Sequence, residues 1–96
     1  MSKSELINIL TKLNRETRTK YKSRIIGLFG SYARGEENEK SDIDLLIEKE
    51  GAITILDLAA VKIFLEEKLN TPVDIVTTSA LREEIKPYVM SDLIYI

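Results

Sequence analysis

The sequence predicts one α/β (or α+β) domain in which helices pack on a small mixed β-sheet. Two observations point to this class. The chain has 96 residues, 44% of them hydrophobic and 31% charged, which suits a single globular unit over residues 1–96. Apolar residues also recur with helical spacing in two long segments and form short strand-like runs, in the order α-β-β-α-β-α-β. The sequence alone does not separate α/β from α+β.

The N-terminal segment is predicted to form an amphipathic helix followed by a strand. Ser2 and Glu5 have the spacing of a capping box. The strand covers Ile25–Phe29 and stops at Gly30. The apolar stripe of the helix consists of Leu6, Ile9, Leu10 and Leu13.

The next segment is predicted to hold a helical turn, a loop and a second strand. Ser31–Arg34 has room for about one turn of helix, which Gly35 would end. Glu36–Ser41 is a polar loop, and the strand covers Ile43–Ile47. A turn follows near Gly51.

A longer helix and a third strand are expected after this turn. Thr54 can cap the helix, and Asn70-Thr71-Pro72 breaks it before a strand over Val73–Val76. The face of this helix that is expected in the core consists of Ile55, Leu58, Val61, Leu65 and Leu69.

The C-terminal segment is predicted to hold a short helix and an edge strand. The helix begins at Ser79 and does not pass Lys86, because Pro87 follows. Leu93–Ile96 can add the edge strand.

The composition excludes several kinds of chemistry. The chain contains neither cysteine nor histidine, which rules out disulfides, zinc sites built on these residues, and Ser-His or Cys-His nucleophiles. A catalyst of this composition would depend on carboxylates, amines, hydroxyls, backbone amides or a bound cation. No signal-like run or membrane-length apolar segment is evident, so we expect a cytoplasmic protein.

Two aspartates interrupt the apolar pattern of the second strand. Asp42 and Asp44 lie two residues apart, on either side of Ile43. Since side chains alternate along a strand, both carboxylates should project from one face. Two neighbouring negative charges repel each other, and a hard cation such as Mg²⁺ would relieve this repulsion.

Asp74 repeats the anomaly on the third strand, between Val73 and Ile75. If this strand pairs with the Asp42–Asp44 strand, a third carboxylate joins the cluster, because neighbouring backbones lie about 4.8 Å apart. Three such acids can hold two cations and support phosphoryl chemistry. The alternative for each acid is a solvated strand end or an ordinary ion pair.

The Gly30-Ser31 turn provides groups that suit a phosphate. Glycine lets the backbone approach a ligand closely, and the following helical turn offers free N–H groups. Ser31 adds a hydroxyl and Arg34 a planar cation; Arg34 is also a plausible helix-end surface residue. A P-loop is rejected, because Glu36 stands where its lysine is required. A nucleoside triphosphate with Mg²⁺ is the ligand that fits both halves of the site.

The stretch "GSYARGEENEKSDIDLLIE" resembles the signature of the polymerase-beta-type nucleotidyltransferases: Gly-Ser, ten residues, then Asp-x-Asp. "VDIVT", some thirty residues later, is similar to the strand that carries their third acid. In length and layout the whole chain resembles the minimal nucleotidyltransferases (MNT or MntA-like proteins), which are often encoded beside a HEPN partner.

This resemblance implies a fold, a site and a reaction. Gly30 and Ser31 would bind the triphosphate, Asp42 and Asp44 the metal ions, and Asp74 the catalytic metal. Asp74 could also help to deprotonate the acceptor. Relatives acting as antitoxins transfer AMP from ATP to a tyrosine of the HEPN ribonuclease. Many relatives carry a second basic residue at the position of Tyr32, and this chain lacks it.

Other interpretations remain open at this level. The chain could neutralise a partner by contact alone, or assemble with itself. Tyr32 could stack on a base, although packing beneath the loop is the plainer expectation. An RNA-binding role is disfavoured by the net charge of −2. It would use a basic run that otherwise forms a solvated face and consists of Lys12, Arg15, Arg18, Lys20, Lys22 and Arg24.

Overall fold

A computed structural model of the protein describes residues 1–52 and 54–96. Four helices accompany a four-stranded sheet in this part of the chain. The helices are α1 (Lys3–Tyr21), α2 (Gly30–Arg34), α3 (Ile55–Leu69) and α4 (Lys86–Asp92). The strands are β1 (Ser23–Phe29), β2 (Ile43–Lys49), β3 (Val73–Thr77) and β4 (Ile94–Tyr95). A 3-10 helix at Thr78–Ala80 follows β3.

The sheet is mixed and has the strand order β3-β2-β1-β4. β1 pairs antiparallel with β2 and with β4, whereas β2 and β3 run parallel. The parallel pair requires a crossover, and α3 provides it. The predicted mixed sheet with helices packed on it is therefore confirmed.

The core lies between one face of the sheet and the helices α1 and α3. Alternate residues of β2 are completely buried on this face, namely Ile43, Leu45 and Ile47. Leu6 and Leu10 of α1 are equally buried against them. Every second position of β2 therefore faces away from this core, and Asp44 is one of them.

The predicted helix starts are confirmed by their caps. The Ser2 hydroxyl accepts a hydrogen bond from the Glu5 N–H. Thr54 and Asp57 form a reciprocal capping box at the start of α3. Gly35 ends α2 with a φ of 74°.

Two expectations about elements were wrong. No α-helix spans Ser79–Lys86; α4 begins where that helix was expected to end. Pro87 lies in the first turn of α4, where its missing N–H costs nothing and its fixed φ suits the helix. The expectation that Ile55 belongs to the core was also wrong, since this side chain is 84% exposed.

The longest helix, α1, has a mixed surface of charged and polar residues. Among the helices described, none combines the length and the apolar composition required to cross a bilayer.

Candidate active site

Asp44 and Asp74 lie side by side in the sheet. β2 and β3 pair in parallel, with Asp44 directly opposite Asp74. The predicted pairing of the strand that carries Asp74 with the strand that carries Asp44 is therefore confirmed. Residues in register on adjacent strands project from the same face. Asp42 lies immediately before β2 and is exposed. The site thus occupies the face of the sheet opposite the α1–α3 core.

The pKa of Asp44 depends on its burial and on the charges of the other two aspartates. Burial raises the pKa of Asp44 to about 6, and the negative charges of Asp74 and Asp42 add to this increase. The positive charge of Arg34 acts in the opposite direction. Asp44 is therefore a half-buried carboxylate whose charge the chain compensates only in part.

The three carboxylates do not form a closed metal cage. Within residues 1–52 and 54–96, no three acidic side chains meet closely enough to hold a metal ion together. The donor set still suits a hard divalent cation, because all three groups offer carboxylate oxygens and Asp44 lacks full charge compensation.

Gly30 forms the wall of the site next to Asp44. Its φ is +77°, a left-handed conformation that favours glycine. A Cβ placed on Gly30 would collide with Asp44 Oδ2 and would lie 3.0 Å from its Cγ. The Gly-Ser turn is therefore in direct contact with Asp44.

Ser31 follows at the start of α2 and is half-buried. Its carbonyl accepts a hydrogen bond from the Glu36 N–H at 2.9 Å. Among the hydrogen bonds formed by the described residues, none involves its hydroxyl, and Phe29 provides no side-chain cap for α2. Polar groups of this turn thus remain available to a ligand.

Arg34 lies near the site but has two partners of its own. Its Nη1 donates to Asp92 Oδ2 at 2.6 Å, and its Nε donates to Glu36 Oε2 at 3.1 Å. From the sequence, Arg34 was expected either on a phosphate or at the helix end as a surface residue, and neither carboxylate partner was expected. Tyr32 belongs to the core and is only 9% exposed, so the packing interpretation of Tyr32 is confirmed.

A groove beside Asp74 was also missed by the sequence argument. It has a volume of about 510 Å³ and runs along β3 between α3 and the segment after the 3-10 helix. No local signal identified the groove, because Ile55 has the helical spacing of a core residue although its side chain is 84% exposed.

Similar proteins place the chain in a known group. A family model described as the nucleotidyltransferase domain matches residues 10–96. A candidate protein adenylyltransferase of Methanocaldococcus jannaschii is 40% identical over 94 residues, covering 97% of this chain and 96% of that protein. The protein adenylyltransferase MntA of Thermococcus cleftensis is 37% identical over 92 residues, covering 96% and 93%.

Solved structures agree with this assignment. A structure described as a candidate minimal nucleotidyltransferase has a TM-score of 0.82 at 32% identity, covering 100% of this chain and 97% of that one. A toxin-antitoxin crystal structure with AMP-PNP has a TM-score of 0.75 at 25% identity, covering 92% and 69%. From the Gly-Ser turn, the paired aspartates and these matches, we conclude that the chain belongs to the nucleotidyltransferase domain family, as the sequence motif predicted.

Proposed function

We propose that this protein transfers AMP from ATP to a hydroxyl group of a partner protein. The observation that carries this proposal is the contact between Gly30 and Asp44. It places a turn that suits phosphate groups next to a carboxylate that suits a metal ion bound to those phosphates. The acceptor we propose is a tyrosine of a HEPN toxin, and the modification would make this chain the antitoxin. Support comes from the relatives named protein adenylyltransferase and from the toxin-antitoxin neighbour that contains AMP-PNP.

The roles of the residues follow from their positions. Gly30 and Ser31 would hold the triphosphate through backbone N–H groups and the free hydroxyl. Arg34 would add a cationic contact once it turns from its carboxylate partners. Asp42, Asp44 and Asp74 would hold two Mg²⁺ ions. When bound, these ions supply positive charge to the phosphate oxygens and lower the pKa of an acceptor hydroxyl.

The reaction is a substitution at the α-phosphorus. The acceptor oxygen forms a bond to this phosphorus, and the bond to the oxygen that bridges to the β-phosphate breaks. Pyrophosphate leaves with the electron pair, and the acceptor proton passes to Asp74 or to water. The Gly30-Ser31 turn orients the triphosphate for this displacement.

Label transfer from α-labelled ATP to the copurified partner tests the proposal. We expect transfer with Mg²⁺, and its loss by at least about a hundredfold in the double variant Asp42→Asn/Asp44→Asn. Glu67→Gln is the matched control, because Glu67 is exposed and makes no ion pair among the described residues. Transfer that survives in the double variant would refute the proposal.

The same experiment addresses neutralisation by contact. If the chain acts only by binding, the double variant should still form the complex and still suppress the partner's activity. If the chain acts as proposed, complex formation persists but suppression is lost.

A further inference from the structure

β3 is an edge strand with one side open. It ends the strand order, and among the described residues only β2 pairs with it. The Pro72 carbonyl accepts from the Ile43 N–H at 2.9 Å, so the backbone groups of residue 72 face β2. Because these groups alternate along a strand, those of Val73, Ile75 and Thr77 face outward.

The outward backbone groups are only partly satisfied. Val73 N–H donates to the Glu66 carboxylate at 2.9 Å. Outside the β-ladders, no hydrogen bond among the described residues involves the N–H or the C=O of Ile75. An edge of this kind is a template for another strand.

The groove described above lies along the same edge. β3 contributes residues 74–77, and the first turns of α3 contribute the apolar wall. Ile55 is 84% exposed and Ile85, on the opposite rim, is 42% exposed. The volume of about 510 Å³ is within the range of ligand sites. The side chains of the apolar wall are Ile55, Leu58 and Ala59.

We propose that an extended segment of the acceptor protein adds as a strand to the open edge of β3. Its backbone bonds to Ile75 N–H and C=O. Side chains at alternate positions of the segment pack against the apolar wall of α3, and the intervening ones lie on the face that carries Asp74. The proposed substrate is therefore a hydroxyl-bearing residue with an apolar residue on each side. The proposal rests on the proposed function for the role of Asp74.

Charge favours a partner segment over a second copy of this chain. Pairing two β3 edges would place the two Asp74 carboxylates on neighbouring strands, where like charges repel, and each Asp44 one strand further away. A hydroxyl residue brings no such repulsion. Lys62, the only cation among the described residues lining the groove, also suits an acidic residue at the end of the segment.

Amide exchange of the whole ¹⁵N-labelled protein tests this proposal. The probe is a short blocked peptide in which valine and tyrosine alternate between terminal glutamates. We expect saturable binding that slows exchange at the Ile75 amide. A peptide of the same sequence with alternate backbone nitrogens methylated should not bind, since it cannot donate to β3.

Two variants of α3 provide a matched pair. Ile55→Lys places a charge in the apolar wall and should weaken peptide binding by about tenfold or more. Leu56→Lys is the control, because Leu56 is 80% exposed and does not line the groove. Binding to this control should be unchanged.

The outcomes separate this proposal from the proposed function. Asp44→Asn should abolish AMP transfer yet leave peptide binding intact. Absence of protection at millimolar peptide, or equal weakening by Leu56→Lys, would overturn the proposal. Protection of Ile75 that depends on protein concentration rather than on peptide would overturn it in favour of a second copy.

Discussion

Gly30 and Asp44 constrain each other, although they lie fourteen positions apart in the chain. The glycine holds a left-handed φ of +77°, and the carboxylate fills the space where a side chain would lie. The turn and the acid can therefore approach each other only if residue 30 has no Cβ. Gly35 has a similar φ of +74° but open space around it. A comparison of Gly30 with Gly35 therefore separates the cost of placing a side chain on a left-handed backbone from the cost of a close contact with Asp44.

Gly30→Ala should be more harmful than Gly35→Ala. Both lose about 1–2 kcal/mol from the left-handed conformation, and Gly30→Ala should lose at least about 1 kcal/mol more because it displaces Asp44. Urea denaturation of the two variants measures the difference. AMP transfer should fall sharply in Gly30→Ala and change little in Gly35→Ala. Equal stability losses would contradict the proposed contact.

Asp44 should oppose folding when it is ionised. Its folded pKa of about 6 lies above the ordinary value of 3.8, so the folded state binds the proton more tightly than the unfolded state. The stability of the metal-free protein should therefore decline as pH rises from about 4 to about 6. Above about pH 6, ionised Asp44 destabilises the folded state by its full amount.

The Asp44→Asn variant should remove this dependence. In the absence of metal its Tm should exceed that of the wild type by roughly 4–8 °C near neutral pH, if about 1 kcal/mol of the penalty survives solvent screening. The gap should close below about pH 4. Glu67→Gln, at an exposed carboxylate, serves as the control. A gap that is independent of pH would exclude the charge of Asp44 as its cause.

At the scale of elements, Asn14 of α1 completes the edge of β1. β4 pairs with β1 at Gly27 and Leu28, and none of the strands in residues 1–52 and 54–96 borders the first half of β1 on that side. Asn14 Nδ2 donates to the Ile25 carbonyl at 3.1 Å, and its Oδ1 accepts from the Ile25 N–H at 2.9 Å. One side chain thus replaces a strand partner and fixes α1 on the sheet.

Replacing Asn14 should therefore destabilise the fold. Asn14→Ala leaves both backbone groups of Ile25 unpaired, and we expect a loss of about 2–3 kcal/mol in the free energy of unfolding. Asn8→Ala is the control, since Asn8 is exposed on the same helix. Chemical denaturation measures both. A loss below about 0.5 kcal/mol for Asn14→Ala would show that water satisfies the edge.

At the scale of the whole molecule, Arg34 connects α2, which borders the site, with α4 near the C-terminus. The ion pairs with Asp92 and Glu36 occupy two of its nitrogens. The pair with Glu36 is solvent-accessible and contributes little to stability, whereas the pair with Asp92 includes a carboxylate that is only 20% exposed. Their effect on a phosphate ligand is larger, because the carboxylates compete for the same guanidinium.

Asp92→Asn should accordingly tighten ATP binding by about two- to fivefold at low salt, with a stability change below about 1 kcal/mol. The gain should vanish at high salt, where surface charges are screened. Titration calorimetry measures the affinity, and Glu84→Gln, an exposed carboxylate after the 3-10 helix, is the control. Weaker binding in Asp92→Asn would instead make Asp92 a group that orients Arg34.

The sequence by itself determined the class of fold and the four strands, and it indicated the residues that we propose for the candidate site. These depend on local patterns: apolar runs, caps, and carboxylates placed in apolar strands. Asp42, Asp44 and Asp74 could be identified because each interrupts an apolar strand pattern, although in the structure only Asp44 is half-buried, whereas Asp42 and Asp74 are exposed. The end of the chain was predicted less well, since Pro87 is compatible both with stopping a helix and with starting one.

Only the tertiary structure decided how distant residues meet. The contact of Gly30 with Asp44, the ion pairs of Arg34 and the groove along β3 all join segments that are separate in sequence. Exposure of Ile55 was likewise invisible, because an apolar residue at helical spacing is compatible with the core and with a surface awaiting a partner. The physical reason is that local pattern fixes the direction of a side chain on its own element, whereas packing of the elements fixes what lies opposite it.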